Sequence, residues 1–163
     1  MRIYVPATVA MLGELNDTGE LRPVGGTAFA LTPALRESYA AGDAEELEYA
    51  AMIEASRASL RLIGADEKAP PRRAVISADV DEVKLRPDLD FAVVKVPGPI
   101  TIKQVAAVHL DTADAESAVR EAVDVVDAAD LGDPDAEFVI GSAEDHELAW
   151  YAAQELPFLL ELM

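Results

Sequence analysis

Apolar and polar positions alternate most regularly between Asp43 and Gly64, where the pattern predicts one long amphipathic helix. Asp43 stands where an N-cap belongs, and Glu46 three residues later gives the spacing of a capping box. Gly64 predicts the end of the helix. The apolar stripe consists of Leu47, Ala51, Ala55, Ala58 and Leu62. Because such a stripe needs a sheet or other helices to cover it, we expect this helix at the centre of the fold.

Short runs rich in β-branched and aromatic residues occur before and after this helix and predict the strands of a sheet. They cover residues 2–5, 27–31, 73–80, 91–96, 105–110 and 137–140. Pro6 is expected to end the first strand, because proline has no N–H to donate to a neighbouring strand. The run FAVVKV at 91–96 is the most apolar, so we expect it near the middle of the sheet.

Capping signals predict further helices between these strands. Thr8 and the pair Thr32-Pro33 each predict the start of a short helix, and Thr112 predicts the start of a longer one. The segment 132–135 predicts a turn. The tail from residue 146 onward fits either an edge strand that runs into a short helix or a helix interrupted at Pro157.

Together these elements predict an α+β fold in a single domain that spans residues 1–163. We expect a mixed or antiparallel sheet of about five to six strands, with helices packed mainly on one face. A ferredoxin-like arrangement is one alternative, because strand, helix and strand recur near both ends of the chain. A chain of 163 residues is long enough to bury one sizeable core.

Composition and charge narrow the classes of function. The chain has 31 acidic and 13 basic residues and a formal net charge of -18, which disfavours nucleic-acid binding because such a surface repels a phosphate backbone. No apolar run approaches the roughly 20 residues of a membrane helix, so no membrane association is predicted. The lack of cysteine and of a secretory signal favours the cytoplasm.

Histidine and acidic residues form two candidate catalytic groupings. His109 and Asp111 lie two positions apart, so both side chains point to one face of a strand. Asp145, His146 and Glu147 form the second grouping. Imidazole with carboxylates can hold a divalent metal or act as acid and base, which predicts a small metal-assisted hydrolase as one alternative. The same residues also suit capping and hydrogen bonding, and no cofactor is predicted.

Aromatic and basic residues supply two further candidates for ligand binding. Trp150 and Tyr151 are adjacent aromatics that face opposite sides of a strand or share the border of one helix face. Core packing is the alternative for these rings. The basic candidates are Arg57, Arg61, Arg72 and Arg73. They fit either a small-anion site or ion pairs on a solvated helix face.

Seven short stretches along the chain match the sequence pattern of a known protein family. They are RIYVPAT at 2–8, TPALRESYA at 32–40, EELEYAA at 45–51, ASLRL at 58–62, PPRRAV at 70–75, AAVHLD at 106–111 and DHELAWYAAQEL at 145–156. In these stretches the chain resembles an actinobacterial family of small acidic proteins of unknown function. The resemblance covers nearly the whole chain and implies one compact intracellular domain. It implies no activity and therefore assigns no catalytic residue.

The motifs that are missing favour a non-enzymatic interaction or accessory domain. The chain has neither a nucleotide-binding glycine motif nor a G-x-S-x-G elbow. The terminal run ELPFLLELM is apolar enough to need covering by the chain's own core or by another chain. We therefore predict a homodimer or a protein partner, bound through the surface from Trp150 to Leu162.

Overall fold

The computed structural model describes residues 1–163 and contains nine β-strands and six α-helices. The strands are β1 (Arg2–Ala7), β2 (Glu20–Leu21), β3 (Thr27–Phe29), β4 (Ala74–Asp79), β5 (Lys84–Leu85), β6 (Val93–Lys95), β7 (Ile100–Thr101), β8 (Val105–Leu110) and β9 (Ala149–Ala152). The helices are α1 (Val9–Thr18), α2 (Pro33–Ser38), α3 (Ala44–Gly64), α4 (Glu116–Asp130), α5 (Pro134–Glu144) and α6 (Leu156–Glu161). The predicted α+β class is confirmed.

Seven of the strands form one antiparallel sheet in the order β5-β6-β3-β1-β4-β8-β9, and β2 pairs with β7 in a separate ribbon. The predicted number of about five to six strands was too low, because β5 has only two residues and shows no alternating pattern, and β9 was predicted only as one alternative for the tail. Every pairing in the sheet is antiparallel. The ferredoxin-like alternative is not confirmed.

Helices cover both faces of the large sheet, where the sequence predicted mainly one. On one face, Leu12 of α1 and Leu156 of α6 join Ile3 of β1 in the largest apolar cluster. On the other face, Ala51 of α3 packs in a cluster with Val75 of β4. The C-terminal half of α3 continues beyond the sheet and packs against α4 and α5. Helix α3 is therefore central, as its apolar stripe predicted.

Residues 137–140 lie within α5, so the strand predicted there is wrong. Asp133 caps this helix, because its Oδ1 accepts the N–H groups of Asp135 at 2.9 Å and of Ala136 at 3.2 Å. Pro134 occupies the first helical position. An aspartate followed by proline is a helix start signal, but the apolar run at 138–140 obscured it.

Strand β6 lies second from one edge of the sheet, so the central position predicted for residues 91–96 is wrong. Its apolar character has another cause. Val93 belongs to the cluster under α3, and Val94 belongs to the cluster on the opposite face. A strand that is covered on both faces needs two apolar sides even when it lies near an edge.

Strand β1 continues through Pro6 to Ala7, past its predicted end. Pro6 pairs with Val75 of β4, whereas the pairing of β1 with β3 is confined to Tyr4 and Phe29. Because β3 has already left the ladder at Pro6, no second strand needs the missing N–H. This one-sided pairing allows a proline in a strand near the middle of the sheet.

The caps predicted at Thr8, Thr32 and Asp43 are confirmed. Each side-chain oxygen accepts the N–H of the residue three positions later, at 3.4, 3.1 and 2.9 Å respectively. Thr112 makes no such bond, and α4 begins at Glu116 after a short 3-10 turn. The tail forms the edge strand β9 followed by α6, which decides between the two predicted alternatives.

Candidate functional site

A concave pocket of about 210 Å³ opens on the α3 side of the sheet, between α3 and the strands β1, β4, β8 and β9. Its walls include Tyr4, Tyr49, Ser77, His109 and Trp150, and we call it the aromatic pocket. Ligand sites are usually concave and combine apolar walls with a few polar groups. This combination makes the aromatic pocket the candidate functional site.

The antiparallel register brings the polar and aromatic side chains of the sheet to this pocket. Tyr4 of β1 lies opposite Ser77 of β4, which lies opposite Ala107 of β8. His109 of β8 lies opposite Trp150 of β9. Residues directly opposite each other in neighbouring strands point to the same face of a sheet. Ala107 carries only a methyl group, so it leaves a depression between its larger neighbours.

Ser77 and His109 form the polar floor of the pocket. The Oγ of Ser77 lies 2.7 Å from the Nε2 of His109. Burial, and to a smaller extent the charge of Arg2, lowers the pKa of His109 to about 4, so the imidazole is neutral at pH 7. Its Nδ1 forms no hydrogen bond within the chain and, since no buried polar atom lacks a partner, it is open to solvent. A neutral imidazole can therefore bind Ser77 through one nitrogen and a ligand through the other.

Tyr4 and Arg2 are both held by carboxylates. The hydroxyl of Tyr4 donates to Oε2 of Glu48 at 3.3 Å, and burial together with this carboxylate raises the pKa of Tyr4 to about 12. The Nε of Arg2 donates to Oδ1 of Asp79 at 2.7 Å, and its Nη2 donates to Oδ2 at 3.1 Å. Tyr4 is therefore uncharged, and Asp79 balances the charge of Arg2.

Two aromatic rings remain largely open to solvent at the pocket. Trp150 is 62% exposed and Tyr49 is 50% exposed. Tyr151 points to the other face of β9 and packs against the largest apolar cluster. Of the two arrangements predicted for this pair, the strand is confirmed, because Trp150 and Tyr151 lie in β9 and face opposite sides of it. Of the two, only Trp150 lines the aromatic pocket.

A smaller pocket of about 100 Å³ adjoins the aromatic pocket and shares Tyr49 and Met52 with it. His146 and Glu147 line this smaller pocket. The two histidines of the chain therefore lie in neighbouring pockets that have a common wall. His109 belongs to the first pocket and His146 to the second.

Asp111 forms a buried ion pair and does not line the pocket of His109. Its Oδ2 accepts the backbone N–H and the Nε of Arg73, both at 2.8 Å, and its Oδ1 accepts Nη2 at 2.8 Å. Both residues are at most 2% exposed. The Nη2 of Arg73 also donates to the backbone oxygen of His146 at 2.7 Å. Asp111 and His109, which were predicted to form one grouping, therefore lie in different environments, because Arg73 binds both carboxylate oxygens of Asp111.

The second predicted grouping lies between α5 and β9. Asp145 follows the last residue of α5 and is exposed, as is Glu147. Nowhere along the chain do three or more histidine, aspartate or glutamate side chains come together in a way that could hold a metal ion. The metal-assisted hydrolase built on His109, Asp111 and these residues stays a prediction.

The candidate arginines pair with carboxylates of their own chain. Arg57 contacts Asp130 at 3.0 Å and Glu137 at 2.8 Å, and Arg61 contacts Asp130 at 2.7 Å. These bonds join α3 to α4 and α5. Arg72 pairs with a carboxylate of α4 at 3.0 Å. The ion-pair alternative describes what these side chains do, and the small-anion site stays a prediction.

The terminal apolar run is divided between the core and the surface. Leu156 and Leu159 are buried in the largest apolar cluster. Phe158 of α6 and Leu162, which follows this helix, remain exposed. The chain's own core therefore covers only half of this run.

Sequence reasoning missed Ser77, Tyr4, Glu48 and Tyr49. A signal existed for Ser77, because it is the one hydroxyl inside the buried run AVISA of β4. A polar group in such a position needs a hydrogen-bond partner. No signal existed for Glu48 and Tyr49, because they point from α3 toward strands that are distant in sequence.

The fold and the pocket define a class of protein: an α+β domain with a seven-stranded antiparallel sheet and a small pocket beside its longest helix. No helix combines the length and the apolar character that crossing a membrane requires. Residues 1–160 match the family of unknown function DUF6912, and the chain belongs to that family. No curated protein and no solved structure matches the chain. Membership of a family of unknown function is confirmed.

Proposed function

We propose that this protein is a non-enzymatic binding domain of the cytoplasm and that its aromatic pocket holds a small ligand. The observation that carries the proposal is the exposure of Trp150 and Tyr49 around a concave surface. Large aromatic side chains normally bury most of their area. When they stay exposed beside convergent polar groups such as Ser77 and His109, they typically serve recognition.

The dimensions of the site favour a small ligand. The aromatic pocket measures about 210 Å³ and the adjoining pocket about 100 Å³. Together they reach only the lower end of the roughly 300–1,000 Å³ range of ligand pockets. A compound with a short carbon skeleton and one polar head fits this volume.

A fluorescence screen tests the proposal. Trp150 is the only tryptophan, so its emission reports on the pocket alone. We expect a ligand to change this emission saturably and to raise the melting temperature, because it binds only the native state. Tyr49→Ala should abolish both effects. Tyr39→Ala is the matched control, since Tyr39 is 49% exposed, lies just after α2 and does not line the pocket.

The proposal fails if a broad screen of small polar compounds changes neither the emission nor the melting temperature. It also fails if the compounds that bind do so equally well in Tyr49→Ala and Tyr39→Ala. In that second case the ligand occupies another part of the surface.

A second function, acyl transfer by Ser77, is favoured by the 2.7 Å distance between its Oγ and the Nε2 of His109. A neutral imidazole at this distance can accept the serine proton as the hydroxyl attacks an ester carbonyl, and can return that proton to the leaving alcohol as the ester C–O bond breaks and the acyl-serine forms. Labelling with a fluorophosphonate tests this function, with Ser77→Ala as the control. Covalent labelling that disappears in the variant supports catalysis, and unlabelled protein supports binding alone.

Self-association through the surface from Trp150 to Leu162 also belongs to this proposal. Phe158 is 67% exposed, although it lies on the same short helix as the buried Leu159. It therefore offers an apolar contact to a second chain, and its exposure means that replacing it should cost little stability. Sedimentation at increasing protein concentration tests it. A concentration-dependent dimer that is lost in Phe158→Ala supports self-association, and a monomer throughout contradicts it.

A further inference from the structure

We infer that the aromatic pocket binds an organic cation, a small molecule with an ammonium head group. This inference rests on the proposed function, because it names the chemical class of the ligand for the same site. It is carried by the balance of charge around the pocket and by the aromatic side chains that line it.

The fixed charges at the pocket are negative. Glu45 and Glu48 line it from the N-terminal end of α3. The only cationic side chain in the lining is Arg2, which donates two hydrogen bonds to Asp79. The pKa of His109 lies at about 4, so the imidazole adds no positive charge at pH 7. A cation that enters the pocket therefore meets two carboxylates and one positive group, Arg2, whose charge is offset by Asp79.

The aromatic walls supply the second half of the recognition. Trp150, Tyr49 and Tyr4 approach the pocket from β9, α3 and β1, which are three separate elements. The face of an aromatic ring attracts a cation, and tryptophan does so most strongly. Rings on several sides, with carboxylates nearby, are the arrangement that favours alkylammonium groups over neutral compounds of the same shape.

The polar floor is compatible with such a ligand. The Nδ1 of His109 is open to solvent, and a neutral imidazole can present an unprotonated nitrogen to an N–H or O–H donor of the ligand, such as the hydroxyl of choline. The net charge of -18 further raises the concentration of cations near the surface. An anionic ligand would face repulsion from both the pocket and the whole protein.

Three compounds of nearly the same shape and different charge test the inference: choline, the neutral 3,3-dimethylbutan-1-ol and the anionic 3,3-dimethylbutanoate. Each is titrated into the full chain while Trp150 emission is recorded. We expect saturable binding of choline and binding about tenfold weaker for the neutral compound, which lacks the cation–π and carboxylate attraction. The anion should bind more weakly still.

Variants of single glutamates test whether choline binds in the aromatic pocket. Glu48→Gln keeps the shape and the acceptor for Tyr4 but removes one charge, and it should weaken choline roughly fivefold. Glu14→Gln, an exposed site on α1, is its control and should leave the affinity unchanged. Equal effects of the two variants would show that only the overall charge of the protein matters, and this would overturn the inference.

The remaining outcomes separate this inference from the proposed function. If the neutral compound or the anion binds as tightly as choline and Tyr49→Ala abolishes that binding, the inference fails and the binding function stands. If none of the three compounds changes the emission of Trp150, the cation inference is overturned, and the broad screen described above then decides the proposed function.

Discussion

Two regions along strand β8 use polar side chains in opposite ways. At the end of the strand, Asp111 and Arg73 are at most 2% exposed and are joined by three hydrogen bonds of 2.8 Å. Two residues earlier, His109 faces a pocket and engages only one of its ring nitrogens within the chain. In the first region, both carboxylate oxygens of Asp111 are used in hydrogen bonds that stabilise the fold. In the second region, one ring nitrogen of His109 remains available to a ligand.

The contrast separates stability from recognition. A buried charge must be fully paired, because desolvation without a partner costs several kcal/mol. A half-buried imidazole can lose its charge instead, and the low pKa of His109 is the result. Sequence proximity of a histidine and an aspartate therefore does not establish a joint site.

The largest expected effect is the loss of the buried pair. Asp111→Asn leaves the guanidinium of Arg73 buried opposite a neutral group and should lower the free energy of unfolding by about 3–5 kcal/mol. Urea denaturation measures this change. Asp88→Asn is the control, because Asp88 pairs with Arg86 at the surface and its removal should leave the urea midpoint unchanged. Equal effects of the two variants would contradict a structural role for the buried pair.

The next effect is a pH dependence that arises from His109. Its pKa is 6.5 in the unfolded chain and about 4 in the folded protein, so between these values the unfolded chain binds more protons. The contribution of His109 to the free energy of unfolding is therefore fully present above pH 6.5 and is lost as the pH is lowered from 6.5 to about 4. The upper limit of the loss is roughly 3 kcal/mol, and solvent at the open pocket reduces it. Urea denaturation between pH 4.5 and pH 7 measures the slope, which should flatten in His109→Gln, and an unchanged slope in that variant would assign it to other groups.

A smaller effect is expected from the floor of the pocket. Ser77→Ala removes the partner of the His109 Nε2 and should cost about 1–2 kcal/mol, because a largely buried polar atom loses its hydrogen bond. Ser142→Ala changes the same atoms on an exposed helix position and should stay within about 0.5 kcal/mol. Thermal unfolding of the two variants gives the comparison. A loss no larger for Ser77→Ala than for Ser142→Ala would mean that water replaces the serine.

The smallest effect on stability is expected at Trp150. Trp150→Ala should change the free energy of unfolding by no more than about 1 kcal/mol, because most of the ring is already in water. Leu110→Ala, on the neighbouring strand and fully buried, should cost about 2–5 kcal/mol. Calorimetry measures both variants, and it also shows whether Trp150→Ala loses the melting-temperature rise caused by a ligand. A large loss of stability in Trp150→Ala would assign the ring to the fold.

Much of the fold followed from local signals. The caps at Thr8, Thr32 and Asp43 and the strand at 105–110 lie where the sequence predicted them. These signals depend on hydrogen bonds or periodicity within a few residues. The strand predicted at 137–140 failed because Ile140 packs against α4 together with Ala136 and Ala143, at helical spacing, while Phe138 stays 79% exposed. The position of α4, a partner helix, could not be read from the local sequence.

The site was far less predictable. Trp150 and His109 were both candidates, but nothing local indicated that β8 and β9 would place them directly opposite each other. Ser77 is separated from His109 by 32 residues, and only the register of β4 against β8 brings their atoms to 2.7 Å. Asp111 was grouped with His109 in the sequence, and its hydrogen bonds to Arg73 could not be predicted because Arg73 lies 38 residues away in the chain.

The sequence by itself determined the α+β class, the long helix α3, most strands of the sheet and the acidity of the surface, because each depends on composition or on contacts between near neighbours. The tertiary structure alone decided which charges are buried in pairs, which aromatic rings stay exposed and which polar atoms share a pocket. The physical reason is that strand register and helix packing join residues far apart in the chain. A shift of one residue in that register would turn His109 and Trp150 away from the pocket.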